Sequence, residues 1–589
     1  MSDIGLSIVE TLRQMKDDRH QLEQRWTQSW AEYLGTPNSS QYLRTQVATE
    51  TPNNWRHKIN KGKAFQIVET QHAYLFNASF PNDDWIYFEP ANSGYAEVAR
   101  LVTKYFKDRL YEAKYVLAYS NFLRQMLICG QSCMAMPWVK GNIDYRVLSV
   151  YETFFNPEAR DRRDSPFIRL IYKPRYQVLA DARKYRYDLS IEEIKQMDNL
   201  EHFIERSDKT LKMFQGLDIT HEQNNWTDSV GIIEYWGDIY NNDVLHEKKC
   251  ITVIGGKVVK ETSFDVFPFV VGDFIEVTQS PYGIGALHPV LGAIKELNDI
   301  TNARLDNLSV SSSQMFTYID DGMLKPEDIV VEPGKVIPVA DHDAIRPMQL
   351  STADYNISYT ESQFLDADID KVAGIGPLVG ATMRSGERVT AEEVSSVREM
   401  GGNRLTSLFM QIEMTSFLEI MHTSLELFRK YGKDHTVKVK GGSFQVWEYY
   451  AVGKEELQLD WVVKPRGAGH VLERQRKINL YVEFLQLVSS NEQFAQRVDF
   501  EQLLMQMLEI WGFDDPDSLV LRQQGGEQTP LQQMGGAPMQ QMATEQIAAD
   551  GGRSLMASMG AQLPEGVGIA DVEQQLNGAA ATAAAVGIG

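Results

Sequence analysis

The chain has 589 residues and carries 58 Lys and Arg against 80 Asp and Glu, a formal net charge of −22. A protein whose whole surface grips DNA would be basic, so any contact with nucleic acid should be local or weak. Apolar residues at 43% and aromatic residues at 10% exclude wholesale disorder, and three cysteines exclude a disulfide framework. At roughly 150 residues per domain, the length predicts about four units.

Nothing in the sequence is typical of a secreted or membrane protein. Residues 1–20 mix polar and apolar side chains, unlike a signal peptide. No stretch approaches ~18 uninterrupted apolar residues, so we predict no transmembrane span. We therefore expect a soluble protein of a reducing compartment.

The first half of the chain changes between helical and strand-like patterns. Apolar residues at helical spacing predict three helical segments, at Ile8–Tyr33, about 61–80 and about 95–136, with Gly130 a possible break in the third. Alternating residues and turn signals predict strands near 143–149 and 167–172, and a β-meander over 230–277 with a hairpin turn at Gly255-Gly256. These segments together predict an α+β domain.

The second half begins with the motif Ser280-Pro281-Tyr282-Gly283-Ile284-Gly285. The predicted elements after it are a helix at about 287–313, a short β-rich insertion with turns at 320–322 and 333–334, a helix at about 351–372, and a glycine-rich loop from Gly374. Thr390 and Glu393 form a capping box that opens a helix reaching about Tyr431, and Gly401-Gly402 should kink it. Strands are predicted over 432–465 and helix over 471–512.

The C-terminal segment 523–589 differs in composition from the rest of the chain. It holds 12 Gly and 11 Gln but no Phe, Tyr or Trp. Such a segment buries too little to offset its ordering entropy, so we expect it to be disordered alone and dispensable for assembly.

Four segments partly resemble enzyme or metal-site motifs, but each lacks residues that its motif requires. Gly374, Gly376 and Gly380 are spaced one residue off the dinucleotide fingerprint, and no clear strand precedes them. Gly255-Gly256-Lys257 lacks the other residues of a phosphate loop, and Gly130–Met134 lacks the last glycine of a nucleophile elbow. Cys129 and Cys133, read as one helical turn apart, have no second Cys/His pair to complete a zinc site. We therefore predict no cofactor, no metal and no catalytic residue.

Three carboxylates, Asp366, Asp368 and Asp370, could hold Mg²⁺ or Ca²⁺. An EF-hand loop starting at Asp366 fails, because Lys371 and Pro377 occupy its sixth and twelfth positions. On a helix, Asp366 and Asp370 share a face while Asp368 points elsewhere. We interpret the group as a solvated acidic face.

Arg384 and Arg388 lie with Met383 in the glycine-punctuated loop before the capped helix. They are either scattered charges of a surface loop or two cations presented to a polyanion. Glycine-rich loops often carry function, so the residues alone leave both readings open.

The order of features from Ser280 onward resembles the portal protein, or head-to-tail connector, of short-tailed double-stranded DNA bacteriophages. The residues that carry the resemblance are Ser280–Gly285, Ile294–Asn298, the β insertion, the glycine-rich loop, Arg388–Val394 and the turn Phe155-Asn156-Pro157. The likeness covers roughly residues 1–520; the Gln/Gly/Met-rich tail departs from it.

The resemblance implies an α+β portal fold assembled as a ring, usually of twelve subunits. Its implied segments are a wing at 1–285, stem helix 1 at 286–313, a small β-containing clip at 314–350, stem helix 2 at 351–373, a tunnel loop at 374–389, a long kinked wing helix at 390–431, wing return strands at 432–470, a helical crown at 471–522 and a flexible tail at 523–589.

The implied function is a portal vertex ring of the capsid, through which DNA is packaged and ejected. Its implied partners are further copies of the chain, double-stranded DNA, the terminase large subunit, a head-tail adaptor, and the major capsid and scaffolding proteins, with no membrane. It would lie in the virion after assembly in the host cytoplasm. Twelve copies at −22 each would carry about −264, so a mostly negative channel could let DNA slide.

The resemblance also assigns roles to residues. The DNA-facing residues of the tunnel loop would be Met383, Arg384, Ser385 and Arg388. The clip residues that dock the motor and then the adaptor would be Asp320, Asp321, Lys325, Glu327 and Asp328. The helix cap and kink would be Thr390, Glu393, Gly401 and Gly402.

Two other functions remain open at this point. Another virion protein, such as an ejection protein or tail adaptor, would form no large closed ring. A metal-dependent nuclease using Asp366, Asp368 and Asp370 would cleave DNA with Mg²⁺.

Overall fold

A computed structural model of the chain describes these residues: 2–35, 57–81, 85–91, 95–196, 229–241, 244–312, 316–318, 345–347, 355–375, 404–441, 446–467, 480–481 and 484. All of them belong to one unit, Met1–Asp514. The predicted clip turns, the helix start at Thr390 and the tail lie outside the described residues.

The helices of the first half form where apolar residues recur along one face. They are α1 (Ser2–Asp18), α2 (His20–Tyr33), α3 (Lys63–Ser79), α4 (Ala96–Glu112) and α5 (Tyr115–Cys129). In α1, Ile8, Leu12 and Met15 are buried at three- and four-residue spacing against strand residues such as Ile168 and Ile233. The other four helices supply much of the main core.

The helical segment predicted over 95–136 is wrong in its interior, where it is divided in two, and over 131–136, which are not helical, whereas the possible break predicted at Gly130 is confirmed. Lys114 has a left-handed φ of 54° and separates α4 from α5, while Gly130 at φ 90° ends α5. Residues 131–135 then form a strand that is buried throughout, so the polar alternation that marks a half-exposed strand is missing.

Antiparallel strands follow α5. They are β2 (Gln131–Ala135), β3 (Trp138–Val139), β4 (Asn142–Ile143), β5 (Arg146–Leu148), β6 (Thr153–Phe154), β7 (Phe167–Pro174), β8 (Ser229–Asn241), β9 (Val244–Ile254), β10 (Lys257–Ser263) and β11 (Phe269–Asp273), with β1 (Ile86–Pro90) before α4. The short helices α6 (Arg175–Tyr185) and α7 (Ile191–Gln196) lie between β7 and β8.

The strands form a five-stranded sheet in the order β10-β9-β8-β7-β6 and a three-stranded sheet in the order β11-β2-β5. The predicted hairpin at Gly255-Gly256 joins β9 to β10, and both glycines have positive φ, as a tight two-residue turn requires. Helix α1 crosses this turn so closely that a Cβ atom at Gly256 would lie 3.2 Å from Leu6 Cδ2.

The second half supplies two long helices and returns to the first half. A 3₁₀ turn at His288–Val290 leads into α8 (Leu291–Ser312); β12 (Phe316–Tyr318), β13 (Ile345–Pro347) and α9 (Tyr355–Ala373) follow. Helix α10 (404–412) runs through a π-helical turn, Glu413–Phe417, into α11 (Leu418–Tyr431). The remaining elements are β14 (His435–Gly441), β15 (Val446–Val452), α12 (Lys454–Gln458) and β16 (Trp461–Pro465).

Strand β16 pairs antiparallel with β1, from Ile86 opposite Pro465 to Pro90 opposite Trp461. Residues distant in sequence thus close one core, in which Trp85, Phe106, Phe122 and Phe428 are almost fully buried. The mixture of helices and antiparallel sheets agrees with the predicted α+β class. None of the helices among the described residues has the length and apolar character that a membrane span needs.

Candidate functional site

Most of the residues that the sequence singled out lie outside the described part of the chain. The tunnel-loop, clip, cap and kink residues that fall there are Met383, Arg384, Ser385, Arg388, Asp320, Asp321, Lys325, Glu327, Asp328, Thr390, Glu393, Gly401 and Gly402. The structure instead describes the frame from which these segments leave and to which they return.

The frame consists of α8, α9 and the strand pair between them. Strands β12 and β13 lie within the predicted clip and are antiparallel, with Tyr318 opposite Ile345, so the part of the clip between them starts and ends at adjacent points. Helices α8 and α9 pack together, and the Arg304 guanidinium lies 5.5 Å from the centre of the Tyr359 ring. The N-terminal part of α8 joins the main core through Ile294 and Leu297, and the C-terminal part of α9 joins it through Ile369.

The motif Ser280–Gly285 joins this frame to the first half of the chain. The Gln131 side-chain amide donates to the Pro281 carbonyl at 2.9 Å. The Phe155 amide donates to the Tyr282 hydroxyl at 3.2 Å, which ties in the predicted Phe155-Asn156-Pro157 turn. The Ala286 amide donates to the Leu127 carbonyl at 2.8 Å. The motif is therefore a hydrogen-bonded connection just before the N-terminal end of α8, and we call it the joint.

Glycine is required at this joint because two backbones cross in contact. A Cβ atom at Gly130 would lie 2.6 Å from the Gly285 nitrogen, and one at Gly283 would lie 2.7 Å from the Gly130 oxygen. A Cβ atom at Gly285 would lie 2.8 Å from the Gly130 nitrogen. No side chain fits at any of the three positions without moving backbone.

Two carboxyl groups are largely buried: that of Asp273 lies near the joint, and that of Glu413 lies in the π-helical turn. Burial raises the pKa of Asp273 to about 6, although Arg162, paired with it at 2.7 Å, lowers the pKa. Burial raises the pKa of Glu413 to about 7, opposed by the Gly467 amide, which donates to it at 3.2 Å.

The cysteine pair is structural. Cys129 ends α5 and Cys133 lies in β2, so the interpretation of one helical turn between them is wrong. Both are buried, and burial raises the pKa of the Cys133 thiol to about 12.

A segment at 57–62, here called the strap, lies along α8 and is held by its side chains. Asn302 accepts from the Ile59 amide at 2.8 Å and donates to the Ile59 carbonyl at 3.0 Å. Asn298 accepts from the Lys61 amide at 3.1 Å, and Asp306 accepts from the His57 amide at 2.6 Å. Four helical residues rise about 6.0 Å and two extended residues about 6.6 Å, so every fourth helix residue meets every second strap residue.

The three aspartates of α9 do not form a metal site. Lys63, the first residue of α3, pairs with Asp370 at 2.7 Å and Asp366 at 2.9 Å, whereas Asp368 pairs with Lys371. The predicted shared face of Asp366 and Asp370 is confirmed, but the solvated reading is wrong for Asp370, which is buried with the Lys63 ammonium. Among the described residues, no group of three potential ligands could hold a metal ion.

The start of the predicted tunnel loop is fixed at the end of α9. Gly374 ends the helix with a φ of 72°, and the buried Ile375 donates its amide to the Asp370 carbonyl at 3.1 Å. Where the described chain resumes, Arg404 donates to the Val372 carbonyl at 3.0 Å. The chain that leaves at Ile375 thus returns to the place that it left.

The sequence reasoning missed Lys63 and the strap contacts. A signal for the strap was present, since Asn298, Asn302 and Asp306 repeat every four residues on one face of a predicted helix. No local sequence pattern indicated the contact of Lys63, because its partners lie some 300 residues away in the chain.

Residues 249–432 match the model of a family described as bacteriophage head to tail connecting protein. The match runs from β9 to the end of α11 and includes the joint motif, α8, α9 and α10. A comparison with curated proteins finds no match. The resemblance to a phage connector predicted from the sequence is confirmed, and the match supports a role in connecting phage head and tail.

Proposed function

We propose that this head to tail connecting protein of a bacteriophage forms the portal ring of the capsid, a channel through which double-stranded DNA is packaged and ejected. The observation that carries the proposal is the family match over 249–432, which includes the joint, the two long helices, the strand pair between them and the chain exit after α9. In this proposal α8 and α9 are the stem, and the α+β region before them is the wing.

The tunnel loop, 374–389, is proposed to line the channel, with Met383, Arg384, Ser385 and Arg388 toward DNA. Its support is the hydrogen bond from Arg404 to the Val372 carbonyl, which brings the described residues on either side of the segment that contains the loop together at the C-terminal end of α9. The chain as a whole carries a net charge of −22. A few arginines within an acidic protein would make weak, salt-screened contacts, which suit moving DNA.

The clip, 314–350, is proposed to dock the terminase large subunit and then the head-tail adaptor through Asp320, Asp321, Lys325, Glu327 and Asp328. The β12–β13 pair is only three residues long in each strand, and so short a sheet gains stability when neighbouring copies add strands. The crown, 471–522, and the wing would contact capsid and scaffolding proteins in the virion.

Electron microscopy of the purified protein, with native mass measurement, tests the proposal. We expect a closed ring with a central channel, with about twelve copies. A protein that remains monomeric at micromolar concentration, or that forms open filaments, would favour an ejection protein or another virion component instead.

A further inference from the structure

Helix α9 exposes an apolar and acidic stripe along the side turned away from Lys63. Ile357, Phe364 and Val372 are 68%, 65% and 46% exposed. Glu361 and Asp368 lie between them on the same face, because the five positions follow three-, four- and seven-residue spacing. We call these five residues the acidic face.

A second stripe of opposite charge lies on the strap and the first turn of α3. Ile59 and Phe65 are 48% and 52% exposed, and Lys58 and Lys61 are exposed beside them. We call these four residues the basic face. The side chains of all four are exposed, whereas the amides of His57, Ile59 and Lys61 in the strap are bonded to α8.

Among the described residues, neither face has a partner that would explain it. Large apolar side chains grouped with charges on an open helix face mark an interaction surface. In the part of the chain that the structure describes, Lys58, Lys61 and Glu361 form no ion pair. Asp368 pairs with Lys371 at 2.9 Å, but both side chains are 67% exposed, so this pair is weak and exchangeable.

We propose that the acidic face of one copy packs against the basic face of the next copy around the ring. The proposal rests on the proposed ring function and identifies the contact between neighbouring copies, which we call the seam. Two different patches that complement each other give a heterologous contact, and such contacts close into rings when the rotation allows. The apolar residues would supply burial, while Glu361 and Asp368 facing Lys58 and Lys61 would set the register.

Charge reversal tests the seam. Glu361→Lys with Asp368→Lys should place like charges together and lower the fraction of protein in rings by about tenfold or more, as like-charge contacts cost several kcal/mol. Lys58→Glu with Lys61→Glu should do the same. All four substitutions together restore opposite charges and should restore the ring. Sedimentation measures the ring fraction, and circular dichroism checks folding of each variant.

A matched control separates contact from net charge. Glu361→Lys and Asp368→Lys combined with Arg13→Glu and Lys433→Glu, two exposed residues elsewhere, return the chain to its original net charge. This control should stay without rings. Rings in either two-residue variant, no rescue in the folded four-residue variant, or rescue in the control would each overturn the seam while leaving the portal proposal intact. An unmodified protein without rings would contradict the portal proposal itself.

Carbodiimide coupling of unmodified rings gives a second measurement that needs no variant. The reagent joins a carboxylate to an amine in direct contact, so Lys58 or Lys61 should be linked to Glu361 or Asp368. Rings mixed from isotopically light and heavy chains should give links between light and heavy peptides. Links confined to one chain, or carboxylates coupled only to other sites, would overturn the proposal.

Discussion

At the scale of single residues, the Lys63 ammonium decides what the acidic helix α9 can do. It is 5% exposed and contacts two aspartates, of which Asp370 is 3% exposed. A buried carboxylate is tolerated only with a partner of opposite charge. Lys63 therefore ties α3 to α9, and it occupies the oxygens that a nuclease would need for Mg²⁺.

Lys63→Met should destabilise the protein by roughly 3 to 5 kcal/mol, because Asp370 loses its partner while it stays buried. Urea unfolding at fixed protein concentration measures the change. Lys371→Met, which removes an exposed ammonium from the same helix, should change stability by no more than about 0.5 kcal/mol. Equal effects of the two substitutions would contradict this account, whereas recovery in Lys63→Met with Asp370→Leu would support it.

Glu413 should make stability depend on pH. Its pKa is about 7 in the folded chain and its ordinary value is 4.5, so between these values the folded state holds a proton that the unfolded state has lost. This contribution to stability is present below pH 4.5 and is lost as pH rises through 7. Glu413→Gln should therefore unfold at higher urea than the unmodified chain at pH 8, with the gain shrinking toward pH 5. A gain that is constant with pH would mean that the carboxyl titrates normally.

At the scale of elements, the strap shows how a helix can hold an extended segment with side chains in place of a neighbouring strand. Asn302 offers both an acceptor and a donor to Ile59, as a strand would. The strap in turn fixes where α3 begins and so where Lys63 meets α9.

Asn302→Ala should loosen the strap and cost about 1 to 2 kcal/mol, since two hydrogen bonds of a buried side chain are lost. Hydrogen exchange at the Ile59 amide should become faster, which a general loss of stability alone would not confine to the strap. Asn307→Ala, on the exposed side of the same helix, should leave this exchange unchanged. Unchanged protection at Ile59 in the Asn302 variant would show that the strap is held by other contacts.

The glycine joint predicts opposite outcomes for two similar substitutions. Gly285→Ala places a methyl group 2.8 Å from the Gly130 nitrogen, so it should destabilise the joint. Gly292→Ala, seven residues later in α8, meets nothing within 4 Å and should stabilise by up to about 1 kcal/mol through helix propensity. Thermal unfolding compares the two. Similar shifts of the same sign would mean that the crossing is less crowded than described.

The elements that sequence patterns predicted are those with one exposed face. Helix α8 and the hairpin at Gly255-Gly256 followed from their periodicity and turn residues, which are local signals. Strand β2 was missed because it is buried on every side and has no alternation. The Lys63 contact and the motif's role as a joint depend on residues far apart in sequence, which periodicity does not report.

At the scale of the whole molecule, the charge of −22 bears on the proposed passage of DNA. In a ring, the acids that lie within about 10 Å of the DNA would repel its phosphates at moderate salt. The arginines of the tunnel loop would be local exceptions to it.

Arg384→Glu with Arg388→Glu should impair retention or completion of DNA packaging while rings still assemble, because the loop would lose the phosphate contacts proposed for it. The DNA content of assembled particles is the decisive measurement, and Arg384→Lys with Arg388→Lys, which keeps the charge, should package normally. Full and stable heads from the glutamate variant would mean that these arginines do not face DNA.

The paired exits at Tyr318–Ile345 and at Ile375–Arg404 have an evolutionary consequence. A segment whose two ends are fixed together can be lengthened, shortened or exchanged without moving its frame, and doubling its length costs only about 0.6 kcal/mol in closure entropy. Lineages could therefore diversify these segments, including the proposed docking surfaces, while they inherit the same scaffold. Sequence drift should be fastest between these exits and slowest at Gly130, Gly283 and Gly285.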